Sequence, residues 1–285
     1  MFVILFLTLL ETLTIKRYIC GSKLNNETNK NMKNLFYAIL VAFTLSSCAE
    51  LLQIVNQTAS STNSMLPVTN AENVSGLKSA LNVGIKEAVE NLGVEDGFYQ
   101  NAALKLLLPK EAQPIIDNIK LIPGGQDLVN KAVLSLNRTA EDAVKEATPI
   151  FTTAITNMTI SDAVGILFGN ENAATEYLRT NTYSQLKTAF APKVKTSLGK
   201  PLVANVSTNE TWNLLSSGYN SVAGTTVGMI AGLKPVNINL ENYVTEKALD
   251  ALFIKVAEEE KNIRANPVAR ISDILKRVFG QLDKK

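Results

Sequence analysis

Residues 75–93 read SGLKSALNVGIKEAVENLG and decide the fold class. Leu77, Leu81, Ile85, Ala88 and Leu92 recur at three- and four-residue steps, which puts their side chains on one face of a helix. Ser75 is placed to cap this helix through its hydroxyl, and Gly93 to stop it.

Toward the C-terminus the same periodicity recurs in pieces. Pro109 opens a short helix toward Leu121, which Pro123-Gly124-Gly125 breaks. Leu128, Ala132, Leu136, Ala140, Ala143, Ala147 and Ile150 form a stripe that predicts one long helix to about Met158, kinked at Pro149. Its small alanines predict close helix packing. A short helix follows from Thr159 or Ser161 to Gly169, with further helical patterns over 172–180 and 183–198. Residues 199–239, rich in Gly, Asn and small side chains, read as a helix near 208–222 and then a loop. Trp212 and Tyr219 there either pack in the core or line a groove. Leu249, Leu252, Val256 and Ile263 mark another helix, Asn266-Pro267 restarts the chain, and a last helix closes at Phe279-Gly280. Neither β-alternation nor a fixed-period repeat stands out. The expectation is an all-α, irregular multi-helix bundle with no substantial sheet, forming a single domain over residues 75–281.

Upstream, residues 32–48 place Met32 and Lys33 before an apolar run from Leu35 to Leu45, followed by Ser46, Ser47 and Cys48. That is the layout of a secretory signal, and the run is too short for the roughly 20 residues a spanning helix needs. The ending Leu45-Ser46-Ser47-Cys48 resembles the lipobox of bacterial lipoproteins, in which the cysteine thiol is acylated and becomes the new N-terminus. The competing reading is a plain signal followed by a free thiol, a liability in an oxidising compartment. Several acyl chains on one residue would anchor stably where one alone binds marginally. Residues 1–31 fit poorly in front of such a signal and read as an upstream extension, with translation starting at Met32; a genuine Met1 with Phe2–Leu10 as an unusual leader is the alternative. The Asn-, Ser- and Thr-rich stretch after Cys48 reads as a tether to about residue 74. Ala49 and Glu50, with no Asp after the cysteine, resemble lipoproteins passed to the outer membrane.

Composition removes several function classes. The chain of 285 residues holds 28 basic and 26 acidic side chains, of which five and two lie in residues 1–47, leaving 23 against 24 beyond. A near-neutral body without a clustered basic face argues against nucleic-acid binding. There is no histidine, which removes Ser-His-Asp and Cys-His chemistry and histidine metal sites. The two cysteines, Cys20 and Cys48, both lie upstream of the helical region, so no disulfide staples it. No cofactor or metal is expected; the oxygen-rich segment Gly169-Asn170-Glu171-Asn172 lacks the pattern of a calcium loop.

Charged clusters supply the remaining candidates. In Glu258-Glu259-Glu260, residue 259 or 260 must lie near the apolar stripe from Val256 to Ile263, so one carboxylate is partly buried and needs a cation from Arg138, Arg179, Arg264 or Arg270. A ligand set of Arg138, Arg179, Glu259, Glu260 and Arg264 is weighed against an internal salt-bridge network. Arg138 also has Glu141 and Asp142 at helical spacing, and Arg179 has Glu176, as in ordinary surface pairs.

The segments Leu81-Asn-Val-Gly-Ile-Lys-Glu-Ala-Val, Asn172-Ala-Ala-Thr-Glu-Tyr-Leu-Arg and Tyr243-Val-Thr-Glu-Lys-Ala-Leu-Asp-Ala-Leu-Phe, with Ala257-Glu-Glu-Glu-Lys and Val278-Phe-Gly, occur in this order. Together they resemble the bacterial domain-of-unknown-function family 4197 over about residues 75–281. The resemblance implies a helical envelope domain, often behind a lipoprotein signal, with no established activity and no assigned functional residues. The reading that follows is a non-enzymatic, lipid-anchored protein of the cell envelope, on the outer membrane and facing the periplasm. Its domain is expected to bind a protein partner or an apolar ligand. The alternative is an envelope hydrolase working through Glu259 or Glu260 near an arginine, which requires two carboxyls about 5–10 Å apart.

Overall fold

The first helix starts earlier than its apolar stripe indicates, because Thr69-Asn70-Ala71-Glu72 forms a reciprocal cap. The Thr69 hydroxyl accepts the Glu72 N–H at 3.2 Å, and the Glu72 carboxylate accepts the Thr69 N–H at 2.8 Å. Helix α1 therefore runs Asn70–Leu92, with Ser75 inside it and Gly93 at its end as expected. The computed structural model describes residues 66–283. Cys48 and the segments read above as signal, upstream extension and, up to residue 65, tether lie outside the described residues.

Ten helices and several 3-10 turns follow one another among the described residues, with no strand and only one isolated bridge, Val203 to Val206. The fold is all-α. After α1 come α2 (Gln113–Asp117), α3 (Gly125–Val144), α4 (Ala147–Asn157), α5 (Ala163–Leu167), α6 (Ala173–Leu198), α7 (Thr208–Ala223), α8 (Thr226–Ile230), α9 (Leu240–Ala265) and α10 (Asp273–Phe279). The short helix expected from Pro109 is present as a 3-10 turn at Lys110–Ala112, α2, and a second turn at Ile119–Leu121. Gly124, at φ +66°, supplies the left-handed residue that turns the chain into α3.

The long helix predicted over 128–158 is instead two. Pro149 cannot donate to the carbonyl four residues back, so the chain breaks at Lys145-Glu146 and Pro149 sits in the first turn of α4, where no N–H is needed. Conversely, the patterns at 172–180 and 183–198 join into one 26-residue helix, α6, which tolerates Pro192 in its last turns. The short helix before Gly169 is capped by Asp162 and not by Thr159 or Ser161. The helix near 208–222 is present as α7, with a second capping box, Ser207 to Glu210.

Helix α9 is the organising element. It packs against α1 on one side and α6 on another, α1 also carries α4 and α10, and α3 bridges α6 and α7. The core is continuous, with Leu77, Leu81, Ile85, Phe151, Phe190, Leu249, Phe253 and Phe279 among its fully or almost fully buried members. Close approach needs missing side chains on α1: a methyl at Gly76 would stand 2.6 Å from Val278, and one at Gly84 3.1 Å from Val256. Two of the large core aromatics, Phe151 and Phe253, meet with ring centres 5.5 Å apart.

Candidate functional site

The carboxylate that sequence places near the apolar stripe is Glu260, and it is fully buried. Its Oε1 accepts the Ala174 N–H at 2.9 Å, and its Oε2 accepts the Thr175 N–H and hydroxyl, each at 2.7 Å. These are opening N–H groups of α6, whose own cap residue Asn172 accepts none of them with its side chain. A helix N-terminus combines unpaired donors with positive dipole charge, so a carboxylate delivered from α9 serves as the cap. One turn on, Arg264 donates from Nε and Nη2 to Glu260 Oε1 at 2.9 and 2.7 Å. It also donates to the Leu167 and Ile166 carbonyls, at 2.6 and 3.1 Å, where α5 ends. The pair is an internal clamp on the turn from α5 to α6. Glu259 turns away from it. It accepts from Asn262 at 3.1 Å and lines a cleft of about 310 Å³ with Glu87, Glu258 and Lys255.

The remaining candidates belong to separate networks. Arg138 pairs with Glu141 at 2.7 Å, as its spacing predicts, and also with Asp96 at 2.7 Å and Glu95 at 3.3 Å. Glu141 in turn accepts the Phe98 and Tyr99 N–H groups, so this cluster pins the loop after α1. Asp142, four residues from Arg138 where Glu141 is three, takes Lys200 and the Ser197 hydroxyl instead. Burial works against ionisation of Asp142, but these donors outweigh it and hold the carboxyl below its ordinary range. Arg179 bonds Asp250 on α9 at 2.6 Å and not the expected Glu176, and it lies over the Tyr183 and Phe253 rings. Arg138, Arg179, Glu259 and the Glu260–Arg264 pair are therefore not brought together into one site. Among the described residues no group of His, Cys, Asp or Glu is gathered to hold a metal, and no helix is long and apolar enough to cross a membrane.

Two grooves are built by one device that the sequence did not disclose, an asparagine reading a backbone amide. Fully buried Asn137 accepts the Leu106 N–H at 2.9 Å and donates to the Leu106 carbonyl at 2.8 Å. That fixes residues 104–108 as one wall of a groove of about 600 Å³, with α9 as the other. Leu107 and Ile254 are exposed in it, at 62% and 45%, and Lys105, Lys110 and Lys247 also line it. Tyr243 closes one side by donating its hydroxyl to the Leu107 carbonyl at 2.7 Å, and burial, with Glu111 adding, pushes that hydroxyl's pKa up. On the other groove, Asn220 accepts the Val236 N–H at 2.8 Å and donates to its carbonyl at 2.9 Å. This fixes the returning chain 235–241 opposite α7, leaving a groove of about 580 Å³ lined by Trp212. Tyr219 lies wholly in the core, whereas Trp212 is largely buried and also faces this groove.

A family model described as "Protein of unknown function (DUF4197)" matches residues 67–280. The chain belongs to the DUF4197 family. The DUF4197 match begins just before the Thr69 cap and ends at Gly280, after α10, so it takes in every helix described above as well as both grooves. The resemblance read in the sequence from residue 75 thus extends upstream to include the first turn of α1. No curated protein and no solved structure matches the chain.

Proposed function

We propose that this DUF4197 protein is a lipid-anchored component of the bacterial cell envelope, held through acylated Cys48 on the outer membrane and facing the periplasm. Its helical domain acts as a binding module for an apolar or amphiphilic ligand. The observation that carries the binding assignment is the groove between residues 104–108 and α9, where exposed Leu107 and Ile254 stand beside Lys105, Lys110 and Lys247. Concave apolar surface with a few polar groups at its edge is the usual form of a small-molecule site. An acyl chain along the apolar wall, with an anionic head toward the three lysines, which outnumber Glu111 and Arg179-paired Asp250 in the same lining, satisfies both parts. The anchor rests on the sequence from Met32 to Cys48. The near-neutral charge of the chain beyond residue 47 supports a non-nucleic-acid ligand.

The test is mass spectrometry of the native protein extracted from its own membranes. A species beginning at Cys48 with added acyl mass supports the anchor, and one beginning at Met1 or Met32 without lipid overturns it. Under native conditions a non-covalent acyl amphiphile is expected to travel with the parent protein and to be lost from an Ile254→Glu variant. Retention of the same amphiphile by that variant, or its absence from the parent, removes the groove assignment.

A further inference from the structure

Helix α7 carries a polar register beside its buried face. Asn209, Asn213, Ser216 and Asn220 follow at steps of four, three and four, which aligns them along one side of the helix over about 16 Å. All four line the groove closed by residues 235–241. Asn220 is committed to Val236, and the Ser216 hydroxyl donates to the Trp212 carbonyl at 2.8 Å. Asn209 and Asn213, and Asn237 on the facing wall, are exposed, and their side chains make no hydrogen bond to any described residue. The Trp212 indole N–H has no such partner either. Since the buried polar side-chain atoms without a partner among the described residues are Asn82 Oδ1, Ser135 Oγ and Tyr219 OH, that N–H keeps some solvent exposure, on a side chain that lines the groove.

The chemistry of this lining is neutral and densely hydrogen-bonding. Each amide offers two donors and one acceptor, and the indole adds a donor. Lys195 and Glu241, the two charged lining residues, have opposite signs, so an ionic ligand gains no net attraction. An apolar chain would strip water from the three amides and the indole without replacing their hydrogen bonds, which is unfavourable. An extended peptide could use the amides through its backbone, but it draws specificity from pockets for alternate side chains, and the lining here is mostly polar. Neighbouring hydroxyls, each donor and acceptor at once, match an amide's paired donor and acceptor.

We propose that this groove is a binding site for a neutral oligosaccharide, with Asn209, Asn213, Asn237 and the Trp212 N–H as its recognition groups. The site is separate from the groove at Leu107 and Ile254, and loss of amphiphile binding there leaves it unaffected. Trp212 is the single tryptophan in the chain, so its emission reports this groove alone. The full chain is titrated with chitotetraose and with maltotetraose, and with tetraglycine as the extended-peptide comparison. A saturable change in Trp212 emission is expected with at least one tetrasaccharide. Affinity is expected to fall about tenfold or more in an Asn209→Ala, Asn213→Ala double variant that keeps parental helicity and melting temperature. The proposal is overturned by an emission that neither tetrasaccharide moves at about 10 mM, by a double variant that binds equally well, or by a response to tetraglycine alone.

Discussion

Glu260 Oε1 lies 2.7 Å from Arg264 Nη2, and through this contact one helix face of α9 holds the end of α5 and the beginning of α6. Both side chains are almost wholly enclosed, at 1% and 7% exposure. Removing one partner leaves the other as an uncompensated buried charge, which costs about 3–5 kcal/mol. Glu260→Ala is therefore expected to lower stability by that amount in urea unfolding. Glu260→Ala, Arg264→Met is expected to cost less than the Glu260 change alone, because no orphan charge remains. A single variant within about 1 kcal/mol of the parent contradicts the clamp.

Gly76 is a position where the usual helix rule reverses. In an exposed helix interior, glycine to alanine gains about 1 kcal/mol. Here the added methyl meets Val278 Cβ and both its γ-carbons at 2.6–2.7 Å, a contact that neither helix can relieve without moving α10 away from α1. Gly76→Ala is expected to destabilise by about 1–3 kcal/mol, and Gly76→Ala, Val278→Ala to recover part of that loss. Calorimetric melting of the three proteins gives the sign directly.

The class of fold was legible from apolar periodicity because helices here bury one stripe each: Leu77, Leu81 and Ile85 on α1, and Leu249, Leu252 and Val256 on α9, are all buried where the spacing placed them. Boundaries were less legible. The start of α1 was written in Thr69-x-x-Glu72, but a polar cap lies outside the stripe that the periodicity follows. The site residues were legible only as pairs close in sequence. Glu260 with Arg264 and Arg138 with Glu141 follow from helical steps. By contrast Arg179 with Asp250, and Asn137 with Leu106, join segments 71 and 31 residues apart, and no local pattern encodes such contacts. The Asn209, Asn213, Ser216, Asn220 register was visible in the sequence, yet a groove exists only once Asn220 has fixed the returning chain at Val236.

Tyr219 places a hydroxyl in the core with no hydrogen-bond partner among the described residues, on a side chain that is 0% exposed. An unpaired buried hydroxyl carries a desolvation cost of about 1–3 kcal/mol that packing must offset. Tyr219→Phe keeps the ring and removes that cost. The variant is expected to be more stable than the parent by about 1 kcal/mol or more, read from the shift in urea midpoint at constant slope. A loss of stability would show that the hydroxyl is hydrogen-bonded, for instance through an enclosed water.

Glu72 links the two ends of the domain, closing the Thr69 cap and accepting from Arg277 Nε on α10 at 2.7 Å. The Arg277 hydrogen bond first, then the Thr69 N–H and hydroxyl, lower its carboxyl pKa from 4.5 to about 2. A folded-state value below the unfolded one means the unfolded chain takes up protons more readily in acid. The stabilisation is thus complete above pH 4.5 and is lost as pH falls toward 2. In Glu72→Gln the carboxylate is absent at every pH. The melting-temperature gap between parent and variant is therefore expected to be constant from about pH 7 to 5 and to close progressively below pH 4.5. Asp142, Glu210, Glu246 and Asp283 also have lowered pKa values, but they titrate in parent and variant alike and cancel in the difference. A gap that stays open at pH 2 would assign the effect of the substitution to packing and not to the carboxylate's charge.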